Sequence, residues 1–205
     1  EDNSLAVLRR PQVLLGLLTT VLSWIGVFAA FTYIAPILTR ITGFSESAVS
    51  PVLLVFGAGL IAGNLLGGRL ADWRLIPAML GSLAALSAVL FAMSFAMHDK
   101  VAAVIAIGLF GAAAFATVPP LQMWVLEKAD GAGQGLASSF NIAAFNLGNA
   151  IGAWLGGTVI DKGPGLDAVI WVAGLVPLAA LATALFARRL GHPSRIASPA
   201  CEQAH

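Results

Sequence analysis

Six apolar runs, separated by short segments that hold nearly all the charge, constrain this chain more than any other feature. The runs cover approximately residues 12–38, 48–70, 75–97, 101–126, 135–160 and 167–187. A helix needs about 20 mostly apolar residues to cross a bilayer, and each run is of that order. The separators carry Arg40 and Glu46, Asp72 and Arg74, His98-Asp99-Lys100, Glu127-Lys128-Ala129-Asp130, and Asp161-Lys162. The runs are rich in Ala and Leu and too long for the tilted strands of a membrane barrel. Composition points the same way: 59% of the 205 residues are hydrophobic and 10% charged, against about 25% charged in an ordinary soluble domain. Lipid is therefore the expected solvent, and the expected fold is an all-α polytopic membrane domain of six transmembrane helices.

The domain plan follows. Residues 1–11 are expected to be a linker stub, 12–190 the six-helix domain, and 191–205 a polar tail. The chain opens Glu-Asp-Asn-Ser, not with methionine, and has no signal-peptide pattern. The stub reading expects something upstream; a processed start is the other reading. Six spans put both ends on one side. That side holds Arg9, Arg10, Arg69, Arg74, Lys128, Arg188, Arg189 and Arg195, against Arg40, Lys100 and Lys162 on the other. The positive-inside rule then places both termini in the cytoplasm.

A faint internal repeat is visible. Gly63-Asn64-Leu65-Leu66-Gly67 in the second run matches Gly148-Asn149-Ala150-Ile151-Gly152 in the fifth, and each is followed by a GGxxxD stretch. One copy ends at the basic side and the other opposite, as two inverted three-helix repeats require.

The fifth run is the most informative. Ser138, Asn141, Phe145, Gly148, Asn149, Gly152 and Gly156 fall on one stripe at helical spacing. Glycines four apart admit a second backbone closely, so Gly148, Gly152 and Gly156 are candidate packing positions, as are Gly59, Gly63 and Gly67 in the second run. Asn141 and Asn149 need partners, because lipid offers none. Helix bonding and cavity lining both satisfy that need. Asn146 lies off the stripe and reads as structural. The first run carries Trp24, Tyr33 and Pro36, and the fourth Thr117, Pro119, Pro120 and Gln122. Both are expected to bend near one end, since proline removes a backbone donor. Trp24, Tyr33, Gln122, Asn141, Phe145 and Asn149 are the candidate cavity residues, with Trp24 and Tyr33 equally readable as packing or interface anchors. The third and sixth runs hold few polar groups and are expected to face lipid. The others are expected to face protein or a cavity.

Several classes are disfavoured. Net charge is +1, which gives no nucleic acid a reason to bind. The lone Cys201 lies in the tail and forms no disulfide or metal site. No cofactor is expected. An enzyme is not expected either: His98, His192 and His205 lie outside the runs, so no buried Ser–His pair forms. No Asn-Pro-Ala pair marks an aquaporin-like channel. No Asp, Glu, Lys or Arg lies in the middle of any run, so a proton-carrying group would have to come from elsewhere.

The stretch Gly68-Arg69-Leu70-Ala71-Asp72-Trp73-Arg74 resembles the cytoplasmic-loop signature of the major facilitator superfamily, in its degenerate copy between helices eight and nine. Trp73 stands where a basic residue is usual, and the final Gly and basic pair are missing. Phe140 to Gly157 resembles helix eleven of the arabinose-efflux-like branch of the drug:proton antiporters. Phe31-Thr32-Tyr33-Ile34-Ala35-Pro36 is similar to helix seven of that branch, and Pro119-Pro120-Leu121-Gln122 to helix ten. The resemblance covers the whole chain as helices seven to twelve and implies half of a major facilitator fold. It implies alternating access about a central site, in a bacterial inner membrane, by exporters of sugars, drugs or nucleosides. It assigns the first and fourth runs to the cavity, the second and fifth to the contact with the other half, and Gly68, Arg69, Asp72 and Arg74 to a gating loop. The loop reads equally well as a solvated turn. The expected partners are lipid, a small-molecule substrate and an N-terminal six-helix half. A homodimer of six-span chains is the alternative, and the glycine faces of the second and fifth runs suit either partner.

Overall fold

A computed structural model describes residues 5–130 and 133–191 of the chain. The tail from His192, with Arg195 and Cys201, lies outside the described residues, as do residues 1–4. The described part is helical. After a short 3-10 turn at Val7–Arg9 come α1 (Pro11–Phe31), α2 (Ile34–Ile37) and a π turn at Leu38–Thr42. These are followed by α3 (Glu46–Trp73), α4 (Leu75–Ala96), α5 (Lys100–Ala116), α6 (Val118–Lys128), α7 (Gln134–Lys162) and α8 (Val169–Gly191). Together α1 and α2 form one broken rod, and α5 and α6 a second.

The breaks have a local cause. Proline cannot donate to the carbonyl four residues back, and its ring pushes that carbonyl aside. For Pro36 the carbonyl is that of Thr32, where α1 stops. For Pro119 and Pro120 the carbonyls are those of Phe115 and Ala116, where α5 stops. At the same break the Thr117 hydroxyl donates to Ala114 O. Gly43, at φ 90°, closes the first rod in a conformation that glycine adopts without strain.

Two glycine seams set the packing. On α3, a side chain at Gly59, Gly63 or Gly67 would run into the backbone of Gly108, Ala112 or Ala116, so α3 lies directly on α5. On α7, side chains at Gly148 and Gly152 would meet the backbone between Val21 and Ala29 of α1. The outward role expected for these two glycine faces is therefore corrected: helices of the same chain occupy both. Periodicity shows that a helix has a close-packing face but not which neighbour fills it.

Two contacts hold α8. A side chain at Gly26 of α1 would collide with the Pro177 ring and with Ala173 O, the carbonyl that Pro177 leaves without its helical donor. From α4, the buried Ser87 hydroxyl donates to Gly174 O at 2.7 Å. The third and sixth runs thus meet each other through a polar bond that their composition does not suggest.

Among the described residues, five helical stretches are long and apolar enough to cross a membrane: Pro11–Phe31, Glu46–Trp73, Leu75–Ala96, Lys100–Lys128 and Leu166–Gly191. The sixth rod, α7, has 29 residues but is not among the five. Its Ser, Asn and Gly content lowers its hydropathy; Asn141, Gly148, Gly152 and Gly156 of these are buried on its inward stripe, while Ser139 and Asn146 are exposed. Burial also departs from expectation. The apolar window of α1 is 61% buried and that of α3 only 17%, so α3 turns most of its surface away from this bundle.

Candidate functional site

Where α1, α6 and α7 meet, neutral polar side chains form a chain of hydrogen bonds. Asn141, fully buried on α7, accepts at Oδ1 from the Thr20 hydroxyl of α1 at 2.7 Å. Its Nδ2 donates to Gln122 Oε1 of α6 at 2.7 Å, and Gln122 Nε2 donates to Ser138 Oγ, back on α7, at 2.6 Å. No ionisable group takes part. The Pro119–Pro120 break sits just before Gln122, and one turn separates Ser138 from Asn141. Local sequence therefore aims both amides at one junction.

Beside this network stands an aromatic cluster. The Trp24 ring meets Phe115 and Phe145 edge-on, each with centroids 5.2 Å apart, and Phe28 at 5.6 Å. Edge-to-face packing of this kind adds about 0.5–1.5 kcal/mol per pair beyond area burial. The cluster extends through Phe31 to Phe56 and Phe110. Two polar atoms here are buried with no partner among the described residues, Trp24 Nε1 and Asn149 Oδ1. One is a donor and the other an acceptor. Leaving such groups unpaired costs about 1–3 kcal/mol each.

The six candidates therefore separate. Gln122 and Asn141 bond directly to one another. Trp24 and Phe145 pack ring to ring beside them, and Asn149 lies one turn further along α7 with its carbonyl oxygen free. Tyr33 is placed elsewhere. Its ring lies where a side chain on Gly156 would stand, and its hydroxyl donates to Ala153 O at 2.8 Å. It clamps the end of the α1–α7 seam. Thr20 and Phe115 belong to the site and were not among the candidates. Thr20 had a signal, since a hydroxyl in an apolar run needs a partner; Phe115 had none.

The expected gating loop is mostly helix: Gly68 to Trp73 form the last turns of α3 at the basic end of the bundle, and Arg74 alone joins α3 to α4. Arg69, Asp72 and Arg74 are exposed, Gly68 has open space beside it, and the Arg74 guanidinium lies over the Trp73 ring at 5.3 Å. The residue that departs from the loop signature thus holds one of its arginines. Among the described residues, no group of His, Cys, Asp or Glu is arranged to hold a metal ion.

Comparison with known proteins fits this architecture. The chain is 46% identical over 90% of its length to the inner membrane transport protein YdhP of Escherichia coli O157:H7, of which it covers 48%. It is 34% identical over 88% of its length to a chloramphenicol resistance protein of Streptomyces lividans, covering 46% of it. It is 35% identical over 90% of its length to the purine ribonucleoside efflux pump NepI of Salmonella paratyphi B, again covering 46%. The chain thus spans about half the length of these relatives. The family model of the Major Facilitator Superfamily matches residues 3–141, and the chain belongs to that superfamily.

Proposed function

We propose that this chain is the C-terminal six-span half of a secondary transporter that exports a neutral polar or amphipathic solute by alternating access. The observation that carries the reading is the site itself: an uncharged amide–hydroxyl network, a bed of aromatic rings, and an unpaired donor and acceptor beside them. Such a surface suits a flat or amphipathic molecule with its own hydrogen-bonding groups, and it holds no formal charge to pair with an ion. The printed names of two relatives, a nucleoside pump and a chloramphenicol resistance protein, fit that solute class; a sugar fits the amides but uses the rings less.

The sixth crossing is α7. At 1.5 Å per residue its 29 residues reach about 43 Å, and its outer face carries Phe140, Ile142, Leu147 and Trp154. The inverted repeat is supported by the pairing, since the second run lies on the fourth as the fifth lies on the first. A second six-helix half is the partner we assign to the exposed sides of α3 and α7. Asn64 and Asn146 are exposed there; an asparagine facing lipid is costly, and Asn146 donates only to its own helix at Ile142 O. Proton antiport, if it drives export, uses a titrating group in that other half. Among the described residues the basic end carries seven Lys or Arg and the opposite end three, which supports a cytoplasmic position for both termini in a bacterial inner membrane.

The test is Asn149→Leu in the full-length protein, with export followed in cells and insertion followed by membrane fractionation. Export is expected to fall by about tenfold or more, equivalent to about 1.4 kcal/mol of lost solute binding, with insertion unchanged. Normal export would remove Asn149 from the cavity.

A further inference from the structure

The basic end of the bundle holds a cavity of about 450 Å³ whose lining includes none of the residues of the polar network. Four helix ends meet around it: the starts of α1 and α4 and the ends of α6 and α8. Its walls include Gln12, Pro77, Leu80, Trp124, Lys128 and Arg188, and among the described residues no carboxylate. The Lys128 ammonium lies 5.8 Å from the centre of the Trp124 ring, so a cation is held at the wall. Trp124 is 1% exposed, and its indole N–H has no acceptor among the described residues. Gln12 Nε2 is engaged with Ala187 O at 3.0 Å, while its Oε1 is buried without a donor.

Two cations, with no carboxylate among the described lining residues, suit an anion with several oxygens, and a phosphate ester has that chemistry. The surroundings decide between a soluble and a lipid phosphate. From Arg188 the exposed Leu185 and Leu178 run inward along one side of α8. A soluble ester has no use for this flanking apolar row, whereas an acyl chain can lie against it.

We propose that this cavity is a headgroup site for an anionic phospholipid, of the phosphatidylglycerol type. Lys128 and Arg188 hold the phosphate. The proposal rests on the reading that the basic end lies at the membrane surface, but not on transport.

The experiment uses the full-length protein in neutral detergent, with bound lipid read by native mass spectrometry and stability by thermal melting. The probes are phosphatidylglycerol, phosphatidylethanolamine and glycerol 3-phosphate. Phosphatidylglycerol is expected to be retained and to raise the melting temperature, and the other two are not. The double variant Lys128→Gln/Arg188→Gln is expected to weaken its retention by about tenfold or more; Arg40→Gln/Lys162→Gln, at the opposite end, leaves it unchanged. If the first double variant does not purify, Arg188→Gln alone, at an exposed position, is expected to show the same loss at smaller size. Equal retention of the two lipids, or undiminished binding by the variants, overturns the site. Equal binding of glycerol 3-phosphate overturns the lipid assignment in favour of a soluble ester. Each readout is independent of export, so a failed export test leaves this one standing.

Discussion

The α3–α5 seam and the α1–α7 seam use one device, three glycines at four-residue spacing, and differ in what lies beyond it. Along α3 every close contact is backbone on backbone, with Gly108, Ala112 and Ala116 opposite. Along α7 the two lower contacts are with the α1 backbone, the third is with the Tyr33 ring, and beyond Gly148 the stripe turns polar at Asn141 and Ser138. Close packing fixes the distance between two helices in both seams. Only in the second does the fixed distance hold a set of hydrogen-bonding groups in register. One seam is a fastening, and the other is a fastening that also presents chemistry.

Three substitutions press on this difference. The largest effect is expected from Gly63→Leu, which drives a side chain into Ala112. Overpacking against backbone has no rotamer escape, and a loss of about 3 kcal/mol or more is expected, read as loss of the monodisperse peak on size exclusion. A well-folded variant would mean the first seam is loose. Next is Asn141→Leu, which strips Gln122 and Thr20 of their shared partner. Bonds inside membrane bundles are worth about 1–2 kcal/mol at most, so melting should drop by a comparable amount while export is lost. Full export by a destabilised variant would make the network purely structural. The smallest effect is expected from Gly57→Ala, on the same helix as Gly63 but with open space beside it. A gain of up to about 1 kcal/mol in helix propensity is expected, seen as an unchanged or slightly raised melting temperature; a clear loss would show that an unseen neighbour fills that space.

Much of this fold was readable before any coordinates. The apolar runs, the charged separators, the proline breaks and the glycine stripes are all local signals with a local physical cause. The junction of Gln122 with Asn141 was only half readable, because each amide announced that it needed a partner and neither named one. Pairing is a non-local fact. For the same reason the glycine faces were turned toward the wrong neighbour, while Tyr33, readable either as cavity lining or as a packing anchor, packs against Gly156. The low hydropathy of α7 comes only in part from groups it hides: Asn141 and the seam glycines face protein, while Ser139 and Asn146 are exposed.

The two broken rods have a mechanical meaning. They run antiparallel, and each is long before its joint and short after it. The joints therefore sit toward opposite ends of the bundle, at Thr32–Tyr33 and at Thr117. At each, proline has already removed backbone bonds, so flexing there sacrifices fewer than flexing anywhere else along the rod. A wall built from two such rods has one soft hinge toward each side of a membrane, while the glycine seams fasten each rod to another helix, α1 to α7 and α5 to α3.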